Sequence, residues 1–309
     1  MKVFNSISSY VSQKQSIVTI GTFDGVHIGH QEIIEKIIED AQNSDYESLI
    51  LTFFPHPRMV LAHELGVKLL NTINEKIELL EKIGLSNLII HPFDEIFSQL
   101  SAEEFVAKIL VEKLKIKKII LGHDHRFGKD RSASIDDLII FGKKYNFEVE
   151  QISAQKIDQV AISSTKIRTA LLEGNIVLAN QYLGYQYSFS GKVIKGKQLG
   201  RTIGFPTANI QIDEAYKLIP KNGVYIVKSS IDEKIHFGMM NIGNRPTVDG
   251  KNQTIEVYFF DFDKDIYDTS ISVTILDRIR DEKKFDSLED LKKQIEKDKQ
   301  SVITYIKQP

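Results

Sequence analysis

Between Ser16 and Leu121 the chain alternates short β-rich runs with segments of helical period, and this alternation restricts the fold more than any other feature. The run SIVTI at residues 16–20 reads as a strand that stops at Gly21. From Gly29 onward, Ile33, Ile34, Ile37, Ile38 and Ala41 recur at the spacing of one helix face. Residues 49–54 are strand-like and end at Pro55; Ile77, Leu80 and Ile83 mark a helix closed by Gly84; residues 88–90 give a third strand. Ser101 with Glu104 forms a capping-box signature ahead of Phe105, Val106, Ile109 and Leu110. The fourth strand, KIIL, covers residues 118–121. Strands separated by helices predict an α/β fold, a parallel sheet covered on both faces. Such sheets bind ligands beyond the carboxyl ends of their strands.

The pattern changes near Gly184. Residues 163–172 (SSTKIRTALL) read as a capped helix closed by Gly174, and residues 176–183 as a short second one. Alternating segments follow at 188–194, 223–229, 235–240, 254–260 and 272–279, each bounded by turn residues such as Gly196, Gly200 and Asn222–Gly223. Short strands at close intervals predict an antiparallel β-barrel. Ser287 then opens a last helix through Leu288, Leu291, Ile295, Val302 and Ile306. The expected domains are residues 1–184 and 185–309, a division of ordinary size for a 309-residue chain.

Composition narrows the partners. A net charge of −2 gives no global case for nucleic acid or an anionic membrane. Without cysteine there are no disulfides, thiolate metal sites or Cys nucleophile. The N-terminal residues lack the apolar run of a signal peptide, and no stretch reaches the ~18 apolar residues of a membrane span. The expectation is a cytoplasmic protein, with a homo-oligomer left open.

The sharpest motif, GTFDGVHIGH at residues 21–30, lies between the first strand and its helix. Glycines there let the backbone approach a ligand, and the free N–H groups of a helix start favour phosphate. His27 and His30 are three apart, so both imidazoles can face one ligand. A tight turn, a cap and a metal pair remain open as alternatives. PHPR follows the second strand, GHDHRFG at 122–128 follows the fourth, and SSTKIR opens the later helix with hydroxyls and two cations suited to polyphosphate.

Together these stretches resemble the HxGH nucleotidyltransferases, and more narrowly the N-terminal FMN adenylyltransferase module of the prokaryotic bifunctional riboflavin kinase/FAD synthetases. GTFDGVHIGH, TFFPHPR, LSAEEFVAKIL, GHDHRFGKDR and ISSTKIRTALLEGN carry the resemblance over most of residues 16–183. It implies a Rossmann-like domain in which the FMN phosphate attacks the ATP α-phosphorus. His27, His30 and Arg168 would be catalytic. Gly21, Phe23, Asp24, Gly25, Gly29, His56, Asp124, Ser164 and Thr165 would contact the nucleotide. Thr22 stands where the family more often has Asn, and His123 and His125 match no family role.

In the second half, GKVIKGKQLGR at 191–201 combines three glycines with four cations, a pattern equally open to a solvated hairpin and to a flap over phosphates. TIGFPTAN follows at once. GFPTAN, with GMMNIGNRPTV, TIEVYFFDF and RIRDEKKF, resembles riboflavin kinase over nearly all of residues 186–306. The resemblance implies ATP contacts at Gly196, Lys197, Gly200, Arg201 and Gly204, and Mg²⁺ ligands at Thr207 and Asn209. Glu256 would be the catalytic base; a Glu on an alternating strand is otherwise an ordinary surface residue. Arg280 and Glu282 would lie in a flap near the flavin, and Asp268 replaces a usual Gly.

The expected ligands are riboflavin, FMN, FAD and ATP with Mg²⁺, and the expected activity is riboflavin phosphorylation followed by FMN adenylylation. The alternatives are an enzyme with one working site and a non-catalytic flavin sensor.

Overall fold

The computed structural model describes residues 1–11, 14–61, 67–122, 126–152, 162–196, 199–247 and 250–307. Its chain divides into two compact units, Met1–Ser164 and Thr165–Pro309.

In the first unit the elements run β1 (Lys2–Phe4), β2 (Ser16–Ile20), α1 (Ile28–Gln42), β3 (Glu47–Phe53), α2 (Pro57–Leu61), α3 (Ile73–Ile83) and β4 (Asn87–His91). Then come α4 (Glu95–Ser98), α5 (Ala102–Glu104) running on as a π-helix through Phe105–Lys113, β5 (Ile116–Gly122), α6 (Ile135–Tyr145) and β6 (Glu148–Ile152). The strands form one sheet in the order β1-β4-β3-β2-β5-β6, and every pairing is parallel. Alternate strand residues serve opposite faces. Val18, Leu49, Leu51 and Ile119 pack with Phe105, Val106, Leu110 and Leu138 on one face. Ile17, Ile50, Leu88 and Ile120 pack with Ile34 and Ile37 of α1 and Leu80 of α3 on the other. The chain winds from β2 through β3 to β4 in one direction and restarts at β5 on the other side of β2. The loop after β2 therefore opens at the topological switch point, where such sheets bind ligands.

The second unit, after Ser164 opens its first helix, contains α7 (Ser164–Glu173), α8 (Ile176–Leu183), β7 (Ser188–Ile194), α9 (Leu199–Thr202), β8 (Ala208–Gln211), β9 (Gly223–Ile231), β10 (Lys234–Thr247), β11 (Gly250–Phe259), β12 (Ser270–Arg280) and α10 (Leu288–Ile306). The six strands close an antiparallel barrel in the order β10-β11-β8-β7-β12-β9. Along β11, Ile255, Val257 and Phe259 are buried while Glu256 and Tyr258 between them are half-buried, the period of a barrel wall. Val302 of α10 packs with Phe205, Val224, Ile226, Met239 and Leu276, so the last helix covers part of that wall. Asn180 of α8 donates to the Ile275 carbonyl at 3.2 Å, tying α8 to β12.

The α/β sheet and the antiparallel barrel agree with the reading of the sequence. Among the described residues three strands and four helices go beyond it: β1, the edge strand β6, the four-residue β8 that starts within GFPTAN, and α2, α4, α6 and α9. Asp268, in the place of a usual Gly, adopts φ 63° and pairs with Lys192 at 2.7 Å, so a left-handed turn is kept with a residue type that tolerates it.

Candidate active sites

The strand-to-helix loop of the first unit is built on positive backbone angles. Phe23 (φ 45°), Gly25 (φ 87°) and Val26 (φ 38°) turn the chain sharply enough to start α1 at Ile28, with His27 as its N-cap. Among the described residues no side chain caps that helix start at His27; the His30 N–H turns back to the His27 carbonyl at 2.7 Å, which leaves the N–H groups of Ile28 and Gly29 to face an anion. One turn on, His30 stacks on His27 with ring centroids 3.6 Å apart and 17° between planes, and Phe23 meets His30 edge-on at 5.1 Å. The Nδ1 atoms of both histidines are buried without a hydrogen-bond partner among the described residues.

Burial dominates the electrostatics here. It lowers the His27 pKa from 6.5 to about 4 against the pull of Asp24. His30 is pushed well below 6.5 by burial first, then by His27 and Lys76. Both rings are therefore neutral near pH 7, offering N–H donors rather than positive charge.

Around this pair four neighbours fasten the loop. Asp24 is 2% exposed, and its carboxylate accepts from the Leu70 N–H at 2.8 Å. Ser164 donates its hydroxyl to the Asp24 carbonyl at 2.8 Å. Lys76 of α3 donates to the Thr22 carbonyl at 2.6 Å, and Thr52 of β3 reaches the same oxygen at 3.3 Å. A Cβ on Gly21 would stand 3.2 Å from the Phe23 ring, which fits the close turn expected there. Gly29 is buried in the first turn of α1. His56 follows β3, the neighbour of β2, and its Nδ1 accepts from the Arg58 N–H at 3.1 Å.

Thr165 and Arg168 lie on α7, in the turns that follow Ser164. His123, Asp124, His125 and Lys197 lie outside the described residues. Lys76 escaped the sequence reading, because a lysine within an amphipathic helix normally reads as solvated.

In the barrel, β8 pairs with β11 so that Asn209 stands opposite Glu256. The Thr207 hydroxyl donates to the Glu256 carboxylate at 3.2 Å. Residues from two separate motifs, GFPTAN and TIEVYFFDF, thus meet at one point of the wall. Gly196 closes on them from the β7 side: a Cβ there would lie 2.6 Å from the amide carbon of Asn209. Gly200 accepts from the Phe205 N–H at 2.8 Å, and Gly204 turns with φ 87° between them. A cleft of about 340 Å³ opens beside Thr207, with Arg201 at its rim and Phe259, Ile266 and Tyr267 among its walls.

The oxygens at this point suit a hard divalent cation: a hydroxyl and a carboxamide, with room left for water and phosphate. Among the described residues no group of three or more His, Cys, Asp or Glu could hold a metal by itself.

Arg280, expected from the sequence in a flap near the flavin, has a partner on the last helix. Its Nε and Nη2 grip the Asp298 carboxylate of α10 at 2.7–3.1 Å. Glu282 packs against Gly243, its carboxyl carbon 3.1 Å from where a Cβ would stand.

The FAD synthetase family profile matches residues 10–166, and the riboflavin kinase family profile matches residues 183–306. The chain is 40% identical over 294 residues to a bifunctional riboflavin kinase/FMN adenylyltransferase of Buchnera aphidicola, covering 94% of each protein. It is 38% identical over 301 residues to that of Bacillus subtilis, covering 95% of this chain and 93% of the relative. For the Escherichia coli protein of the same name the identity is 36% over 301 residues, with 96% of each covered. Among solved structures, a Streptococcus pneumoniae chain described as a macrolide-efflux protein superposes with a TM-score of 0.88 at 32% identity, over 97% of both chains. Among the described residues of this chain no helix is long and apolar enough to cross a membrane.

Proposed function

Because this chain belongs to the family of bifunctional riboflavin kinase/FMN adenylyltransferases, we propose that its two steps are divided between the loop after β2 and the Thr207–Asn209–Glu256 cluster. It is an enzyme of FAD biosynthesis: it phosphorylates riboflavin to FMN and adenylylates FMN to FAD. In our reading residues 1–184 carry the adenylyltransferase and 185–309 the kinase. The riboflavin kinase match beginning at residue 183 supports that division, although α7 and α8 pack with the barrel.

For adenylyl transfer, an FMN phosphate oxygen forms the new bond to the α-phosphorus while the α–β bridging bond breaks and pyrophosphate leaves. The nucleophile is already an anion near pH 7, so the step calls for no general base. The neutral imidazoles of His27 and His30 donate hydrogen bonds to the phosphate oxygens where charge collects. The open start of α1 adds its N–H groups, and Arg168 adds a cation. Gly21, Gly25 and Gly29 let the backbone come close, with Phe23 fixing the face of His30. His56, Asp124, Ser164 and Thr165 complete the nucleotide contacts. Asp24, buried and bonded to Leu70, acts by holding the loop.

For the kinase step, the ribityl 5′-hydroxyl gives its proton to Glu256 as its oxygen attacks the γ-phosphorus and ADP departs. The Thr207 hydroxyl orients that carboxylate as an acceptor. Thr207 and Asn209 would hold Mg²⁺ through their oxygens, and the ion supplies neutralisation of phosphate charge. Gly196, Lys197, Gly200, Arg201 and Gly204 would bound the phosphates, and Arg280 would brace the adjoining segment through Asp298. The use of ATP in both steps supports a cytoplasmic setting.

The observation that carries the assignment is the Thr207–Glu256 contact, made between residues 49 positions apart. The test is a crossed pair of variants. Glu256→Ala should abolish FMN formation while supplied FMN is still converted to FAD, and His30→Ala should do the reverse at a cost on the order of 10²–10³ in rate. Equal loss of both steps in either variant would refute the division.

A further inference from the structure

Lys76 stands in α3 beside the apolar positions Ile77 and Leu80, yet it is only 4% exposed. Among the described residues its ammonium forms no ion pair, and its hydrogen bond goes to a backbone carbonyl, Thr22 at 2.6 Å. Burying an ammonium without a carboxylate partner is expensive. Bracing a carbonyl needs only a neutral donor, so the charge calls for another reason. The place supplies one: Thr22 is the second residue of the nucleotide loop, next to Phe23, whose ring lies edge-on to His30. The histidines carry no charge of their own near pH 7.

We propose that Lys76 is a positioning residue for adenylyl transfer: its protonated ammonium fixes Thr22, and through Phe23 the His27–His30 pair, and supplies a buried positive charge beneath the polyphosphate loop. The inference rests on placing adenylyl transfer at this loop. The titratable groups around Lys76 are Asp24 in the loop, His30 on α1 and His27 beside it; Thr22 and Thr52 are neutral. Burial lowers the Lys76 pKa from 10.5 to about 8, against the pull of Asp24. The ammonium is thus mostly charged at pH 7 and loses its proton as pH rises through about 8.

The test uses the full-length enzyme, with kcat/KM for ATP in the adenylylation of supplied FMN measured across pH, because that ratio reports groups of the free enzyme. Wild type should lose adenylylation above about pH 8. Lys76→Met should lower it on the order of 10²-fold at pH 7, flatten the alkaline limb, and leave riboflavin phosphorylation unchanged. Its thermal midpoint should not fall, since a costly buried charge has been removed. Lys76→Gln, which keeps a donor for Thr22, should lose less rate and also lack the limb. Adenylylation within about twofold of wild type, an alkaline limb that persists, or a rate loss accompanied by a lower midpoint in both variants would overturn the proposal. His30→Ala measured alongside separates the two readings: its inactivity beside active Lys76 variants leaves the site standing and removes this inference. If His30→Ala stays active as well, both fall.

Discussion

His27 and His30 stack at 3.6 Å with their Nδ1 atoms unpartnered and buried among the described residues. Two imidazoles this close cannot both be charged cheaply, and burial already holds each below its ordinary pKa. An arriving polyphosphate changes that balance, because a nearby anion favours the protonated ring. In the free enzyme the pair is thus a neutral donor set; nucleotide bound there, as proposed above, would raise both ring pKa values.

This makes acid stability a first prediction. His27 has an ordinary pKa of 6.5 in the unfolded chain and about 4 in the folded one, so the unfolded state binds the extra proton between those values. The stabilisation is complete above pH 6.5 and is lost as pH falls towards 4, a change of about 3 kcal/mol. His27→Gln should flatten that part of the stability curve, followed by urea unfolding at pH 7, 6, 5 and 4. Adding pyrophosphate should move the His27 ring titration upward by NMR; no movement would argue against phosphate at this pair.

A second prediction concerns Gly196. The added methyl of Gly196→Ala would meet the Asn209 carboxamide, the far end of a movable side chain. The inexpensive escape is to swing that amide away, so stability should stay within about 0.5 kcal/mol. The displaced group is a proposed Mg²⁺ ligand, so the Mg²⁺ concentration for half-maximal kinase activity should rise about tenfold, with adenylylation from FMN unaffected. An unchanged Mg²⁺ requirement would remove Asn209 from the metal site.

A third prediction separates the two roles of the Asp24 carboxylate. It accepts from Leu70 at 2.8 Å inside the unit, so it holds the loop whether or not it also meets nucleotide. Asp24→Asn keeps the size and an acceptor oxygen, but removes the charge that favours protonated Lys76 and His27. The Lys76-dependent alkaline limb of adenylylation should then move to lower pH, while the midpoint of thermal unfolding changes little. A limb that moves upward would mean Asp24 is not the charge felt at Lys76.

How much of this was legible in the sequence follows from the range of each signal. The helix after Gly29, the capping box at Ser101 and Glu104, and the barrel strands were readable because periodicity and caps act within a few residues. β1 and β8 were not, since three or four residues carry no period, and β6 was missed because its sequence, EVEQI, is mostly polar, as an edge permits. Ser134 and Asp137 box the start of α6, a signal present in the sequence and passed over. The motifs marked both proposed sites. They could not reveal Lys76 beneath the first, because its burial depends on the packing of α3 against the loop. Nor could they show that Arg280 answers to a residue on the last helix.

That last pairing yields the fourth prediction. Asp298 is 2% exposed, and it accepts from Arg280 through Nε and Nη2 and from the Gln294 amide at 2.9 Å. Removing one partner of such a pair strands the other charge in a largely dry place. Asp298→Ala should therefore cost the barrel about 3 kcal/mol in urea unfolding and expose α10 amides to faster hydrogen exchange. The KM for riboflavin should rise only as far as the loosened segment after Arg280 requires. Were Arg280 held mainly for the flavin, the same variant would free its guanidinium, and the KM for riboflavin would change sharply with little loss of stability. The bidentate geometry favours the first outcome, since the fork that would grip a ligand is already engaged with Asp298.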